Sequence, residues 1–341
     1  MNGISIQYLP SAAADAIRLA SKLGVAAHAI TLHRFPDGEM RVTVGPSTST
    51  TIVYASLDDP NEKLIAIVLA AEALRRQGAT RLVLLAPYFC YMRQDTVFHE
   101  GEAISQKAIG RLIADNVDRV ITVDAHLHRT ADIANVFPGI DADNLSAMPA
   151  IANALRAKNI DPATVVVGPD TESRRWVGDL AGSLGLTCAV AQKVRQGDHS
   201  VELVFADPSL LAGRPTLILD DIVSSGGTLI ACAQAVSAAG ATTINAIVTH
   251  ALFAPKRTIE FANAGIHSIR STYSVPHPTN AFMLDDLFTA ALRSDLSRTI
   301  PSEAISPCLR RGARQSRPHR CVRRWRWRSR DRATRRVVAF Q

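Results

Sequence analysis

Six short runs of β-branched and aliphatic residues punctuate the chain: 51–56 (TIVYAS), 81–87 (RLVLLAP), 119–124 (RVITVD), 164–169 (TVVVGP), 216–221 (TLILDD) and 243–250 (TINAIVTH). None alternates polar with apolar residues, so each reads as a parallel strand covered on both faces. Stretches of helical character at 61–77, 103–114, 173–184 and 228–239 lie between them. Strand, helix and strand in succession require right-handed crossovers and an α/β layered fold. Folds of this kind bind ligands beyond the carboxyl ends of their strands, so chemistry is expected there.

The length of 341 residues allows roughly two domains of about 150 residues. A segment rich in Pro, Gly, Asp and Asn at 138–148 (PGIDADNLSAM) reads as the connection between them, dividing the chain into 1–145 and 146–300. With 47% hydrophobic and 20% charged residues, a disordered chain is excluded. The longest apolar run, 64–74, is broken by Glu72 and is too short to cross a bilayer, so no membrane partner is expected. The opening MNGISIQYLP has no secretory pattern. Cys90, Cys188, Cys232, Cys308 and Cys321 are odd in number and scattered, which argues for a reducing, cytoplasmic setting and against a zinc site.

The most informative segment is 217–229 (LILDDIVSSGGTL). A buried strand ends in Asp220 and Asp221 and passes through Ser224, Ser225, Gly226, Gly227 and Thr228 into a helix. Two glycines let successive N–H groups turn inward, and the helix start adds partial positive charge, a combination suited to a phosphate monoester. The two carboxylates can accept hydrogen bonds from sugar hydroxyls. The plainer alternative is a tight turn with Thr228 as the helix cap.

This segment resembles the phosphoribosyl-pyrophosphate binding motif of the phosphoribosyltransferase fold. Further motifs narrow the likeness to ribose-phosphate pyrophosphokinases over about residues 1–295. The resemblance implies two tandem phosphoribosyltransferase-like domains with mainly parallel sheets. Their donor is Mg-ATP, their acceptor ribose 5-phosphate, and the assembly is generally a homo-oligomer.

In the first half, Phe35, Asp37, Gly38 and Glu39 (FPDGE) resemble the family's adenine-contacting motif; Phe35 offers a stacking face and the two acids offer acceptors. Taken alone, the same residues make a turn between strands at 28–34 and 40–44. Arg93, Gln94 and Asp95, in PYFCYMRQD, resemble the ATP loop, where Arg93 can meet a phosphate and Gln94 a polar edge of the nucleotide. Asp124 and His126 close a strand at i and i+2, so on an extended chain they face one crevice. The resemblance places His126 at Mg²⁺, with Asp124 and Asp170 as further candidate ligands and His128 as a neighbour of lower rank. At Thr171, Glu172 and Ser173 the chain departs from the Gly-rich continuation common in relatives.

Lys193 and Arg195 stand two apart on an extended segment before a glycine-containing turn. The resemblance makes them the catalytic pair of a mobile loop, neutralising the transferring diphosphoryl group, with Arg195 also reaching ribose 5-phosphate. No covalent nucleophile stands out, which suits direct in-line transfer. Ser224 occupies a position where many relatives carry Asp, so no general base is assigned there. Two rivals are weighed: a phosphoribosyltransferase, which needs one such domain, and a non-catalytic subunit, which would lack the basic pair.

The pI of about 9.4 and net charge of +7 belong to an appendage. Residues 310–341 hold thirteen Arg, no Lys and one acid, 13 − 1 = +12, leaving 25 − 30 = −5 for residues 1–309. Residues 301–341 therefore read as an Arg-rich, disordered tail, two of whose residues are Trp325 and Trp327. A nucleic-acid-binding arm is one reading of it; an extension without a selected function is favoured, since Arg without Lys is unusual in an evolved basic arm.

Overall fold

The structure is a computed structural model that describes residues 3–196 and 200–297. In chain order the first half contains β1 (Ile4–Tyr8), α1 (Ala13–Leu23), β2 (Ala26–Ala29), β3 (Thr31–Arg34), β4 (Met40–Thr43), β5 (Thr50–Tyr54), α2 (Pro60–Arg76), β6 (Arg81–Leu85), α3 (Ser105–Ala114), β7 (Arg119–Val123) and β8 (Asp141–Leu145). The second contains α4 (Met148–Ala157), β9 (Val165–Gly168), α5 (Arg174–Leu184), β10 (Thr187–Gln196), β11 (Ser200–Phe205), β12 (Pro215–Val223), α6 (Gly227–Ala238), β13 (Thr243–Ala251), α7 (Thr258–Asn263), β14 (Ile266–Thr272), β15 (Asn280–Phe282), α8 (Asp285–Ala291) and α9 (Arg293–Ser297).

One sheet has the order β2-β1-β5-β6-β7-β8, all parallel. The other has the order β11-β10-β9-β12-β13-β14-β15, parallel except for the β10–β11 pair. β3 and β4 form a separate antiparallel hairpin. The mainly parallel α/β architecture expected from the apolar runs is present in both halves.

The alternation of faces explains those runs. Ile52 and Tyr54 of β5 enter one core while Val53 enters another, and Val83 and Leu85 of β6 oppose Leu82 and Leu84 in the same way. In the second sheet Leu217 and Leu219 face one core and Ile218 the other. A single central core collects inward faces of both sheets with α1, α4, α5 and α8. The two halves therefore share buried apolar surface, the main stabilising term in a fold of this size.

Polar links reinforce that layer. Asp295, fully buried on α9, accepts from Arg81 Nε at 2.6 Å and pairs with Arg119, while Asp285 on α8 accepts from Arg18 Nε at 2.9 Å. The end of the second half thus closes back on the first.

Three details differ from the sequence reading. The 138–148 segment contains β8, an edge strand whose sequence DADNL carries little apolar content because one side of it is unpaired. The stretch 28–34 divides between β2, which joins the sheet, and β3, which leaves it. β12 continues past both acids to Val223, so Asp220 and Asp221 point to opposite faces. Among the described residues, no helix is long and apolar enough to cross a membrane.

Candidate active site at the carboxyl ends of β7, β9 and β12

Beyond the carboxyl end of β12 the backbone turns through Ser224, Ser225 and Gly226 into α6. Gly226 is the helix cap, with φ +80, and no side chain caps the helix. Thr228 lies inside the first turn and does not cap it, so the first-turn N–H groups keep their outward donors. A Cβ on Gly226 would lie 2.4 Å from Phe261 Cε1 in a conformation that L side chains rarely adopt. Glycine is therefore required here by both sterics and backbone.

This loop lines a cavity of about 210 Å³ together with Arg93, His126, His128, Asp170, Glu172, Trp176, Asp220 and Asp221. Side chains from loops following β6, β7, β9 and β12 thus meet across the two halves.

His126 Nδ1 lies 2.7 Å from Asp221 Oδ2 and 3.2 Å from His128 Nε2, and His128 Nδ1 lies 2.7 Å from Glu172 Oε1. One ligand atom each from His126, His128 and Asp221 falls within 4.8 Å of the others. Burial opposes ionisation of Asp221. The hydrogen bond and charge of His126, with the Ile222 N–H, nevertheless hold its carboxyl below the usual range. Asp220 behaves oppositely: burial, then the negative charges of Asp221 and Asp170, push it well above the usual range. The two adjacent carboxyls thus have proton affinities shifted in opposite directions.

Asp170 caps the short turn that follows β9, accepting from Glu172 N at 3.2 Å and Ser173 N at 3.3 Å. Its other oxygen accepts from Lys193 Nζ at 3.3 Å. Lys193 and Arg195 sit on β10, in an antiparallel pair with β11; the side chain of Arg195 and residues 197–199 lie outside the described residues, as does the tail from 298.

Asp124 is placed differently from the sequence reading. β7 ends at Val123 and Asp124 adopts φ +39, so the extended-chain premise that aimed it alongside His126 does not hold. Its Oδ2 accepts from Ala147 N and from Thr249 Oγ1, each at 3.1 Å. Burial pushes its carboxyl up to about 7, against those two hydrogen bonds.

Of the ATP-loop residues, Arg93 lines the cavity. Gln94 donates to Thr96 O and Glu102 Oε2, and Asp95 pairs with Arg129 at 2.9 Å, so both hold the loop's shape. Phe35, Asp37, Gly38 and Glu39 form the turn between β3 and β4, with Gly38 at φ +93. None of the four lines the cavity, and Phe35 is 37% exposed.

Sequence reasoning missed Trp176 and His250. His250 is fully buried: its ring Nε2–H donates to Val123 O at 3.0 Å and its Nδ1 lies 2.8 Å from Ser274 Oγ. Burial pushes its pKa down to about 4, so the ring is neutral at pH 7. Ser56 Oγ in turn donates to Ser274 O at 2.6 Å. The network ties β13 and the chain just after β14 in one half to β7 and the chain just after β5 in the other, immediately before the His126 segment. The only sequence signal was a His at a strand end, which is ordinary.

A glycine turn at a strand–helix junction, next to paired acids in a parallel α/β sheet, is the arrangement of a phosphoribosyltransferase-type fold; here loops of a second parallel sheet add Arg93, His126 and His128. Comparison with known proteins carries this further. Residues 6–116 match the model of the N-terminal domain of ribose phosphate pyrophosphokinase, and residues 142–271 match the phosphoribosyl transferase domain. The ribose-phosphate pyrophosphokinase of Methanopyrus kandleri is 32% identical, covering 76% of this chain and 89% of that protein. Ribose-phosphate pyrophosphokinase 2 of Archaeoglobus fulgidus is 33% identical, covering 78% and 92%. The crystal structure of phosphoribosylpyrophosphate synthetase from Mycobacterium smegmatis shares the fold, with a TM-score of 0.74 at 23% identity, over 86% of this chain and 99% of that one. The chain belongs to the ribose-phosphate pyrophosphokinase family, whose members are transferases.

Proposed function

We propose that the protein transfers the β,γ-diphosphoryl group of Mg-ATP to the C1 hydroxyl of ribose 5-phosphate, giving phosphoribosyl pyrophosphate and AMP. The observation that carries this reading is a single cavity that gathers the phosphate loop, the acid pair, the His cluster and Arg93. Ser224, Ser225, Gly226, Gly227 and Thr228 receive the 5-phosphate through N–H and hydroxyl donors. Asp220 and Asp221 accept from the ribose hydroxyls and orient C1.

His126, His128 and Asp221 fit a divalent cation, because their donor atoms already converge within 4.8 Å, and Asp170 and Asp220 add oxygen atoms to the lining of the same cavity. Mg²⁺ held there supplies charge neutralisation for the triphosphate. Asp124 is assigned a positioning role in place of ligation. Arg93 meets the donor's phosphates, and Lys193, with Arg195, neutralises charge on the moving group and leaves Asp170 to do so. Phe35, Asp37, Gly38 and Glu39 contact the adenine of ATP, and Gln94 and Asp95 shape the loop that presents Arg93. The protein acts as a cytoplasmic homo-oligomer.

AMP release from ATP plus ribose 5-phosphate, followed with Mg²⁺ present, tests the reading. Lys193→Ala should lower kcat by roughly 10²–10³ while leaving the fold unchanged. Folded wild-type protein that makes no AMP at saturating substrates refutes the assignment; equal turnover in Lys193→Ala refutes the role of the lysine.

A further inference from the structure

β12 carries a second cavity at its other end. About 250 Å³ in volume, it is bounded by the amino ends of β9 and β12, the end of α4 and the chain that follows it. From Thr216 to Val223 the strand spans about 23 Å, so this cavity is well separated from the phosphate loop. Its walls are mainly apolar, from Leu155, Ile160, Pro215 and Leu217.

Arg270 of β14 enters this apolar setting. Its guanidinium stacks over the Phe282 ring at 5.4 Å, and its Nε is buried without a hydrogen-bond partner among the described residues. No ion pair to Arg270 is formed among those residues either. Burial alone lowers its proton affinity, with no neighbouring acid acting in the opposite direction. Asp161, the one acid on the wall, accepts from Ala163 N at 2.8 Å. A half-buried guanidinium with no counter-charge among the described residues is costly, whereas Arg18, Arg81 and Arg119 each hold a carboxylate. Lys158 adds a second positive group at the rim, and the Thr216 hydroxyl is buried without a partner.

We propose that this cavity is a binding site for a small organic carboxylate, its anionic head on Arg270 and its apolar body against Leu155, Ile160 and Leu217. Planar guanidinium and carboxylate match bidentately, and the apolar walls exclude a fully hydrated inorganic anion. The site is independent of the transfer reaction and lies at the end of the sheet away from it.

The test titrates the full-length protein with octanoate by calorimetry, with 1-octanol and inorganic phosphate as parallel probes. Octanoate should bind saturably, and Arg270→Gln should weaken it roughly 10- to 100-fold without changing AMP formation. Phosphate should not displace octanoate, and octanol should bind more weakly than octanoate. On unmodified protein, octanoate should shield Arg270 from phenylglyoxal, mapped by mass spectrometry, and octanol should not; this arm stands even if Arg270→Gln fails to fold. Equal affinity for octanol, unchanged affinity in Arg270→Gln, or no shielding of Arg270 overturns the proposal. So does a change of oligomeric state in Arg270→Gln, which would mean that a second copy supplies the missing acid.

Discussion

The ends of β7 and β12 meet in the same cavity but are built by different means. After β12 the geometry is local: the strand end, Gly226 at positive φ and the start of α6 follow one another directly in the chain. After β7 it is held from a distance. Asp124 is fastened to Ala147 and Thr249, Val123 to His250, and His126 to Asp221, partners 23 to 127 residues away. A phosphate needs a fixed array of donors that one loop can provide. A cluster of metal-ligating type needs side chains from several strands, and so depends on how the two halves close.

If that contrast is right, remote substitutions should act on the β7 side and local ones on the β12 side. The largest effect is expected at Asp295, the buried acid shared by Arg81 and by Arg119 at the start of β7. Asp295→Ala leaves those cations without it and should cost about 3–5 kcal/mol in urea unfolding. A loss below about 1 kcal/mol would mean that the closure does not depend on this acid.

Next comes His250, whose ring is neutral when folded. Its native pKa of about 4 lies below the ordinary 6.5, so the unfolded chain takes up the proton first as pH falls. The ring's contribution is complete above about pH 6.5 and is lost as pH falls toward about 4, a change of about 3 kcal/mol. His250→Asn should flatten the pH dependence of the unfolding midpoint across that window. It should also raise the Mg²⁺ concentration needed for half-maximal AMP formation while leaving KM for ribose 5-phosphate unchanged. An equal pH slope in variant and wild type would remove His250 from this role.

The smallest effect should be the most local. Gly226→Ala must take a left-handed φ and displace Phe261, costing about 1–3 kcal/mol. It should appear as a rise in KM for ribose 5-phosphate of up to about a hundred-fold with the Mg²⁺ response retained. A change in Mg²⁺ response without a change in KM would reverse the comparison.

The same contrast explains what could be read before folding. The 217–229 segment was legible because strand, acids, glycines and helix are adjacent in sequence. Even there β12 runs on through Val223, so the two acids diverge: Asp221 engages His126, and Asp220 is left beside Asp170 with a raised proton affinity. His126 was singled out through resemblance, and Asp124 by assuming an extended chain where the backbone turns left-handed. His250, Trp176 and Arg270 carry no local signature, since a His, a Trp or an Arg on an apolar element is ordinary until its neighbours are known. The hairpin at Phe35–Glu39 has a recognisable motif, yet it stands outside the cavity formed by the described residues.

The order of residues alone determined two mainly parallel sheets, because apolar side chains on both faces of a strand can be buried only between layers. It also determined a glycine turn between β12 and α6, because Gly226 permits a backbone that other residues disfavour, and it located the excess positive charge after residue 309. Closure of the two halves decided the rest. It set which acid meets His126 and which carboxyl has its proton affinity raised. Those properties depend on distances between side chains far apart in the chain, and burial and charge take their values only once those distances are set.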